Sequence, residues 1–344
     1  MAYQGVIEDF RSIRELKIPR RVPCVACSEE FDVRWHGTYT YEEFCQDGDK
    51  MFEVVKASIE EFDYDWAWLQ IDDCFEFEPA GVGCKGDGNI LRATTSYLPA
   101  TSESVRALPT MDPERDGRMP EKLKAIRRLR QHFGNTVLIT GSIAAPFSAC
   151  GLMWGLEQAM IVMLDDPKLL HDGMEYWLGF YKGYIRAQQK AGAHAIWLGD
   201  CNAFSGLLSV EQYERCVLPQ TKQLVQYAEK ELDIIVWMHN SEIRLPHVLS
   251  HIPLGVSIEN MGPAAHMAEI REGTRGKQAI SGNLDPIEML WRGNPESIAN
   301  EVNRIMAACA PGGGFALCTG EMNPRAVPAE NMHAFMDTAK KLSA

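Results

Sequence analysis

The sequence predicts a single (β/α)₈ barrel that spans all 344 residues. Short apolar runs alternate along the chain with longer segments of helical periodicity, and about eight such runs occur. The runs are almost continuously apolar, which is typical of parallel strands buried on both faces of a sheet. At this chain length, eight strand–helix units favour a closed barrel over an open sheet. No low-complexity linker or abrupt change of composition divides the chain into further domains.

The predicted strands are the short apolar runs, and they lie at residues 22–26, 65–71, 136–141, 193–198, 234–238, 255–258, 278–281 and 314–318. The predicted helices lie between them, at residues 41–62, 121–133, 167–191, 209–232, 243–251, 264–272 and 295–310. Ser209 and Gln212 have the spacing of a capping box, in which each side chain bonds the backbone N–H of the other residue. This pair therefore predicts a helix start at Ser209.

Two segments interrupt the alternation of strands and helices. Residues 76–119 are rich in Gly, Thr, Ser and Pro, and they predict an irregular insertion over one mouth of the barrel. Residues 144–155 contain Ala, Pro, Phe, Ser and Gly, and they predict a loop that runs into a buried helix.

The chain is acidic, with 34 Lys and Arg residues against 47 Asp and Glu residues and a formal net charge of -13. This charge repels phosphate backbones and anionic lipid headgroups, so we expect neither nucleic acid nor a membrane as a partner. The sequence shows neither an apolar run of the roughly 18 residues that a transmembrane helix needs nor a signal-peptide core. We therefore expect a cytoplasmic protein whose ten cysteines are reduced thiols or metal ligands. Cys24 and Cys27 lie three apart in a predicted strand and are expected to pack separately.

Candidate functional residues follow the predicted strands, because the functional groups of such barrels lie just past the carboxyl ends of the strands. Polar or metal-ligating residues occupy six of these positions: Asp72 and Asp73, Asp200 and Cys201, His239 and Asn240, Glu259 and Asn260, Asn283 and Asp285, and Cys318 and Glu321. His, Cys and carboxylate side chains gathered on one rim are compatible with a catalytic zinc, which takes three protein ligands and keeps one position open. The alternative is that His239 caps a strand end and that Cys201 and Cys318 are small buried residues.

Several segments at these strand ends resemble, in the same order along the chain, the uroporphyrinogen decarboxylase superfamily. They are Gly141-Ser-Ile-Ala-Ala-Pro-Phe-Ser148 with Gly155, Asp200 with Leu208-Ser-Val-Glu-Gln-Tyr213, Met238-His239, Ser281-Gly-Asn-Leu-Asp-Pro286, and Pro328-Ala-Glu-Asn331. Each segment is short, but the ordered set spans about two thirds of the chain. The superfamily has a (β/α)₈ fold and includes cobalamin-dependent methyltransferases, and the resemblance implies the same fold here.

The resemblance favours the methyltransferase branch over the decarboxylases. Decarboxylases of this superfamily carry an arginine-rich N-terminal run that neutralises substrate carboxylates, and residues 21–32 contain no such run. The methyltransferases bind zinc through His-x-Cys after the fifth strand and Gly-Cys after the eighth. This chain keeps His239 but has Ser241 and Glu321 at the two cysteine positions. The resemblance therefore implies a zinc ion on His239 and Glu321, with Cys201 as third ligand and Cys318 as its substitute.

The altered ligand set implies methyl transfer from oxygen, because a carboxylate-ligated zinc is the stronger Lewis acid and stabilises an oxygen leaving group. We expect a small methylated compound, such as an aromatic methyl ether, as donor. The acceptor is expected to be the cobalt of a corrinoid on a separate protein, since the chain lacks the Asp-x-His-x-x-Gly pattern of cobalamin-binding domains. Asp200 is expected to orient a ligand or the substrate, and Asp73, Asn240 and Asn260 to bind substrate.

Other features leave alternatives open. Aromatic residues near the strand ends are candidates for a donor pocket or for ordinary core packing: Trp66, Trp68, Phe75, Phe77, Phe147 and Phe204. Transfer from a methylcorrinoid to a thiol, decarboxylation and a non-catalytic binding role also remain compatible with the sequence, which gives no indication of oligomeric state.

Overall fold

Seven parallel strands form one curved sheet in the computed structural model of the protein, which describes residues 3–343. The strands pair in the order in which they follow along the chain: β1 (Trp66–Trp68), β4 (Leu138–Ala144), β5 (Ala195–Gly199), β6 (Ile235–Glu242), β7 (Ile258–Met261), β8 (Ile280–Leu284) and β9 (Phe315–Thr319). Their carboxyl ends consequently meet at one mouth of the sheet, as the sequence predicts for a barrel.

A short segment around Cys24 joins the two outer strands of this sheet. The Val25 amide donates to the Leu317 carbonyl at 3.0 Å, and the Leu317 amide donates to the Pro23 carbonyl at 2.9 Å. On the other side, the Asp65 amide donates to the Cys24 carbonyl at 3.0 Å. The segment therefore takes the place of the eighth strand, and the predicted (β/α)₈ barrel is confirmed. The predicted first strand shrinks to a single bridge because Pro23 has no N–H to continue the ladder.

Helices follow the strands along the chain. Their bounds are α1 (Val6–Arg14), α2 (Glu29–His36), α3 (Tyr41–Cys45), α4 (Gly48–Phe62), α5 (Ser102–Arg106), α6 (Met119–Phe133), α7 (Pro146–Trp154), α8 (Leu156–Asp165), α9 (Pro167–Ala191), α10 (Val210–Cys216), α11 (Leu218–Gln226), α12 (Leu245–His251), α13 (Met267–Thr274), α14 (Pro295–Cys309) and α15 (Ala329–Ser343). The Ser209 and Gln212 capping box is present at the start of α10. The sequence analysis did not predict α1, α2, α8 and α15.

The segment 76–119 contains more regular structure than the sequence predicts. An antiparallel hairpin of β2 (Gly83–Asp87) and β3 (Ile90–Ser96) turns at Gly88-Asn89, with Gly88 at a φ of 56°. Gly88-Asn89 is a two-residue hairpin signal that the high polarity of the segment obscured. The segment 144–155 forms the buried helix α7, as predicted.

Four tryptophans from three strands fill the interior of the barrel below its mouth. The Trp66 ring lies 5.9 Å from Trp68 and 5.0 Å from Trp237, and the Trp68 ring lies 5.8 Å from Trp197. Alternate residues of a strand share a face, so His239, two positions after Trp237, faces the same interior one layer closer to the mouth. Within residues 3–343, no single helix has the length and apolarity to span a membrane, although the bent pair α7 and α8 meets both criteria when joined.

Candidate active site

His239 and Glu321 meet at the mouth of the barrel. The Nε2 atom of His239, at the end of β6, lies 2.7 Å from Oε1 of Glu321, which follows β9. Ser241 donates its hydroxyl to the other carboxylate oxygen of Glu321. Ser241 has a φ of 56°, uncommon for a residue with a side chain, and it lies where β6 bulges between His239 and Glu242. The bulge thus turns the serine hydroxyl onto Glu321.

Asn260 sets the tautomer of His239 from the opposite side of the ring. Its side-chain amide lies 3.0 Å from His239 Nδ1 and 3.2 Å from the Thr319 carbonyl, while its oxygen accepts from the Ser281 hydroxyl at 2.8 Å. Because the Thr319 carbonyl can only accept, the NH₂ group of Asn260 must face both Thr319 and Nδ1. Nδ1 is then the acceptor, and His239 carries its proton on Nε2, where it donates to Glu321.

Electrostatic attraction couples the two groups of this pair, and Glu321 is the member that is accessible from the mouth. Burial raises the pKa of Glu321, but His239 and Ser241 outweigh this effect and lower it to about 2. Burial lowers the pKa of His239, but Glu321 and Cys201 outweigh it and raise this pKa. The His239 side chain is 0% exposed, whereas that of Glu321 is 37% exposed. The Glu321 carboxylate is therefore the part of the pair that a ligand in the mouth can reach, and its contact with His239 offsets part of its negative charge.

A cavity of about 90 Å³ opens beside this pair, at the ends of β1, β4 and β5. Its walls include Asp73, Glu76, Phe77, Ser148, Trp197 and Cys201. The Trp197 ring lies 5.3 Å from the His239 ring, so the cavity adjoins the histidine. Enclosure raises the pKa of the Cys201 thiol, and the charges of Glu321 and Asp73 add to the shift. The Cys201 thiol and the carboxyl groups of Glu321 and Asp73 therefore lie around the same mouth of the barrel.

The cavity is lined by carboxyl groups. Asp73 is exposed to the cavity and receives a hydrogen bond from the Gln70 amide at 2.9 Å. Its enclosed position raises its pKa to about 6, with further contributions from the charges of Asp72 and Glu76. Glu76 is buried in the wall, and burial raises its pKa. The sequence places both Asp73 and Glu76 after the second predicted strand, but only Asp73 was expected to bind substrate.

Two buried cations stand behind these carboxyl groups: Arg118 is paired with Asp72, and the charge of Lys122 acts on Glu76. Arg118 donates to both oxygens of Asp72, at 2.7 and 2.9 Å, and to Glu78 at 3.0 Å. Lys122 donates to the Ser142 hydroxyl at 2.7 Å, and burial lowers its pKa to about 8. The sequence offered one signal for this arrangement, since Lys122 falls on the apolar stripe of α6.

Asp200 and Asn240 lie outside the barrel interior. Asp200 accepts from the Ser148 hydroxyl at 2.8 Å, and only its backbone amide reaches His239, at the carbonyl oxygen. Asn240 lies 3.5 Å from Nδ1 of His251 on α12, and its oxygen accepts from the Glu242 amide at 3.2 Å. Because consecutive strand residues point to opposite faces, Asn240 faces the helices while His239 faces the cavity. The side chain of Asn240 is therefore engaged on the helix side of the sheet, and its expected contact with substrate stays a prediction.

Three of the four expected zinc ligands, His239, Glu321 and Cys201, lie next to one another at the mouth, whereas Cys318 lies apart from them. The Cys201 sulfur lies 3.7 Å from the His239 carbonyl, and the Cys318 sulfur lies 4.0 Å from that of Cys27 in the core. Over residues 3–343, no three His, Cys, Asp or Glu side chains are arranged to hold a metal ion. In addition, the Nε2 atom that would bind zinc carries the proton shared with Glu321. The described residues thus show no assembled three-ligand site, and the zinc on His239, Glu321 and Cys201 stays a prediction.

The aromatic residues expected near a donor are mostly core residues. Trp66, Trp68, Phe75 and Phe147 are buried away from the cavity, and of the six expected residues only Phe77 lines it. Trp197, which the sequence analysis did not select, forms another part of its wall. The separate packing expected for Cys24 and Cys27 is found, since both thiols are free, buried and bonded to different partners.

Comparison with known proteins identifies the family and the relatives of this chain. A family model described as "Uroporphyrinogen decarboxylase (URO-D)" matches residues 10–342. The chain is 26% identical over 298 residues to a methylated-thiol–coenzyme M methyltransferase of Methanosarcina mazei, covering 86% of this chain and 77% of the relative. It is 25% identical to the methylcobamide:CoM methyltransferase MtbA of Methanosarcina acetivorans, covering 96% of each chain. It is 29% identical to a uroporphyrinogen decarboxylase of Trichlorobacter lovleyi, covering 88% of each.

The fold has a similar counterpart among solved structures. A methyltransferase from Methanosarcina mazei superposes with a TM-score of 0.87 at 17% identity, covering 98% of this chain and 99% of the other. At this identity the likeness shows the fold alone, and the family rests on the sequence match. The chain belongs to the uroporphyrinogen decarboxylase family.

Proposed function

We propose that the protein is a methyltransferase that moves a methyl group from a small methylated compound to the cobalt of a corrinoid carried by a partner protein. The names of two relatives support methyl transfer, and one of them names a methylcobamide. The observation that carries the proposal is the small acidic cavity at the barrel mouth, beside His239 and Glu321.

The charge of this cavity disfavours the other activities known in the family. A uroporphyrinogen carries many carboxylates, which would meet Asp73, Glu76 and Glu321, while Arg118 is paired with Asp72 and Lys122 lies behind Glu76. Removing anionic groups from water without cationic partners is unfavourable. The acidic cavity therefore supports a methyltransferase over a decarboxylase.

Transfer from a methylcorrinoid to a thiol is a second candidate, because both methyltransferase relatives are named for coenzyme M. Coenzyme M is a thiol that carries a sulfonate, and its negative charge would be repelled by the same carboxylates. The acidity of the cavity thus favours a donor that is neutral or positively charged over this acceptor.

The residues of this chain bind and orient the donor. Phe77 and Trp197 form apolar walls, and the carboxylates of Asp73 and Glu321 set a negative potential at the mouth. His239, held by Asn260, fixes the position of Glu321 together with Ser241. The corrinoid, when its carrier protein docks, supplies the nucleophilic cobalt. A rigid carboxylate beside the departing methyl group acts by positioning and electrostatics.

The test is methyl transfer to a reduced corrinoid protein, measured for a panel of methyl ethers, methyl thioethers and methylated amines. The proposal expects at least one donor to methylate the cobalt, with a rate that falls in Glu321→Gln. Asp337→Asn, which changes an exposed carboxyl group on α15, is the matched control and is expected to keep the rate. Methylation of a thiol from methylcorrinoid, with no transfer in the other direction, would replace the proposal by its second candidate.

An aromatic methyl ether remains within this panel, although its alkoxide or phenoxide leaving group requires a proton or a Lewis acid. The Nε2 proton of His239 is engaged by Glu321, and the described donor atoms form no assembled three-ligand site. Measuring zinc in protein purified without chelators tests this point directly, and one zinc per chain would confirm the sequence-based expectation.

A further inference from the structure

We propose that the cavity beside His239 binds the donor through a positively charged methylammonium group. This inference rests on the proposed function for its reaction, but its binding site stands on the cavity alone. Two independent features of the wall carry it: a carboxylate without a cationic partner, and an aromatic surface with an unpaired N–H.

The carboxylate is Asp73. It is exposed to the cavity, and the hydrogen bond that it receives comes from the neutral amide of Gln70. The neighbouring Asp72 is neutralised by the bidentate contact with Arg118, whereas Asp73 forms no ion pair within residues 3–343. A cation in the cavity would supply the missing partner. An anion would meet Asp73 and the exposed edge of Glu321.

The aromatic surface is formed by Trp197 and Phe77. Trp197 is 5% exposed, and its ring is held between those of Trp68 and His239. Tryptophan and phenylalanine attract cations through the negative faces of their rings, and methylated ammonium groups are well suited because they are weakly hydrated. A tetrahedral methylammonium head therefore finds both an opposite charge and an aromatic wall.

The indole N–H of Trp197 indicates that the ligand also carries a hydrogen-bond acceptor. Its Nε1 atom is buried and has no acceptor among residues 3–343, although Trp197 lines the cavity. A buried donor normally has a partner, and because this nitrogen has no accessible surface, an oxygen of the ligand would accept from it once the Trp197 ring turns toward the cavity. Among methylammonium compounds, we expect those with a hydroxyl or carbonyl oxygen close to the charged head to bind best.

A quaternary ammonium donor can also react without an acid catalyst at its leaving group. The bond between the methyl carbon and nitrogen breaks with both electrons left on nitrogen, which departs as a neutral tertiary amine. The electron pair of Co(I) on the partner corrinoid forms the new bond to the methyl carbon, giving methyl-Co(III). No proton is transferred, and no Lewis acid is needed at the leaving group. Loss of the positive charge also weakens the hold of the acidic cavity on the product.

Binding is tested with tetramethylammonium alone, titrated into the full-length protein and followed by calorimetry. The neutral isostere neopentane is the matched ligand in a competition format, because it has the same shape without the charge. We expect tetramethylammonium to bind at least tenfold more tightly than the isostere. Equal affinity for the two would overturn the proposal.

Variants of the cavity residues test whether tetramethylammonium binds in this cavity. Asp73→Asn and Glu76→Gln are each expected to weaken tetramethylammonium binding, Asp73→Asn by about tenfold, and thermal melting confirms that each variant is folded. Trp197→Phe keeps the aromatic ring but removes the N–H, so it should retain tetramethylammonium binding and lose the preference for choline over tetramethylammonium. Asp337→Asn is the control. Unchanged affinity in folded Asp73→Asn and Glu76→Gln would overturn the site.

The two proposals fail separately. If tetramethylammonium binds with the expected dependence on Asp73 but no donor methylates a corrinoid, the cation site stands and the proposed function falls. If ethers or thioethers are demethylated while ammonium compounds neither bind nor react, the methyltransferase stands and this inference falls.

Discussion

Two histidine–glutamate pairs lie at the same end of the barrel, and each joins a ring nitrogen to a carboxylate oxygen over 2.7 Å. The inner pair, His239 and Glu321, faces the barrel interior, and 37% of the Glu321 side chain is exposed. The outer pair, His251 and Glu259, lies between the sheet and α12, and both of its side chains are 0% exposed. Chemically similar pairs therefore differ chiefly in their access to a ligand.

The two pairs also differ in their hydrogen-bond partners and in the pKa values of their glutamates. The inner pair is completed by Ser241 and Asn260, which bond its remaining polar atoms. In the outer pair, His251 Nε2 and Glu259 Oε2 have no partner within residues 3–343. Burial raises the pKa of Glu259, whereas His239 and Ser241 hold that of Glu321 low. The inner pair is thus organised to present a charge, and the outer pair contributes to the packing of α12 against the sheet.

The largest effect is expected for the outer pair, on stability. His251→Ala leaves the fully buried Glu259 without its partner, and breaking a buried pair in this way costs about 3–5 kcal/mol of unfolding free energy. Urea denaturation of the variant measures this change. Methyl transfer by the folded fraction should stay within about twofold of the unmodified protein, and a large loss of rate at full folding would show that the outer pair takes part in the reaction.

The next effect is expected for the inner pair, on rate. His239→Ala removes the hydrogen bond that holds Glu321 in place. We therefore expect the rate of methyl transfer to fall by about 100-fold, or about 2.7 kcal/mol of transition-state stabilisation. Because Glu321 is partly solvated, the unfolding free energy should fall by less than in His251→Ala. A normal rate with a large loss of stability would reverse the roles assigned to the two pairs.

A smaller effect is expected from the residue that sets the tautomer of the inner histidine. Asn260→Asp replaces the donor facing Nδ1 by an acceptor, which moves the proton to that nitrogen and breaks the hydrogen bond to Glu321. We expect kcat to fall about tenfold with little change in KM, and the ¹⁵N NMR signals of His239 to report the changed tautomer. An unchanged ¹⁵N spectrum would show that Asn260 acts only on the structure.

The smallest effect is expected from metal removal. Because the inner pair is closed by a direct hydrogen bond and the described donors form no three-ligand cluster, dialysis against a chelator should leave rate and melting temperature almost unchanged. The double variant with Ser241→Cys and Glu321→Cys restores the cysteines of the resembling methyltransferases and should gain zinc. Zinc lost from the unmodified protein together with activity would contradict this account.

The sequence predicts the pair of His239 and Glu321. It does not predict which strand residues face the barrel interior and which face the helices. The strand ends after β6 and β9 identify His239 and Glu321, because a barrel gathers such residues at one mouth. The choice between neighbours such as His239 and Asn240 depends on the phase of the strand. Parallel strands buried on both faces carry no polar alternation that would reveal this phase, so the sequence does not show that the Asn240 side chain faces the helices.

Other differences have equally local causes. The strands β4 to β9 lie close to the predicted runs, since long apolar runs define them well, whereas the first strand is cut short at Pro23. Cys318 was a candidate ligand because it ends a strand, but its side chain meets Cys27 in the core. The contribution of Glu76 to the cavity depends on how the segment after β1 folds, which no periodicity in the sequence encodes.

The central claim is that access, and not chemical composition, separates the two pairs. Glu321→Gln and Glu259→Gln make the same change in each pair, and measuring both the methyl-transfer rate and the unfolding free energy of the two variants tests the claim most directly. The account predicts a rate about 100-fold lower with nearly normal stability for Glu321→Gln. For Glu259→Gln it predicts a nearly normal rate with about 2 kcal/mol lower stability. Equal losses of rate in both variants, or an unchanged rate in Glu321→Gln, would contradict it.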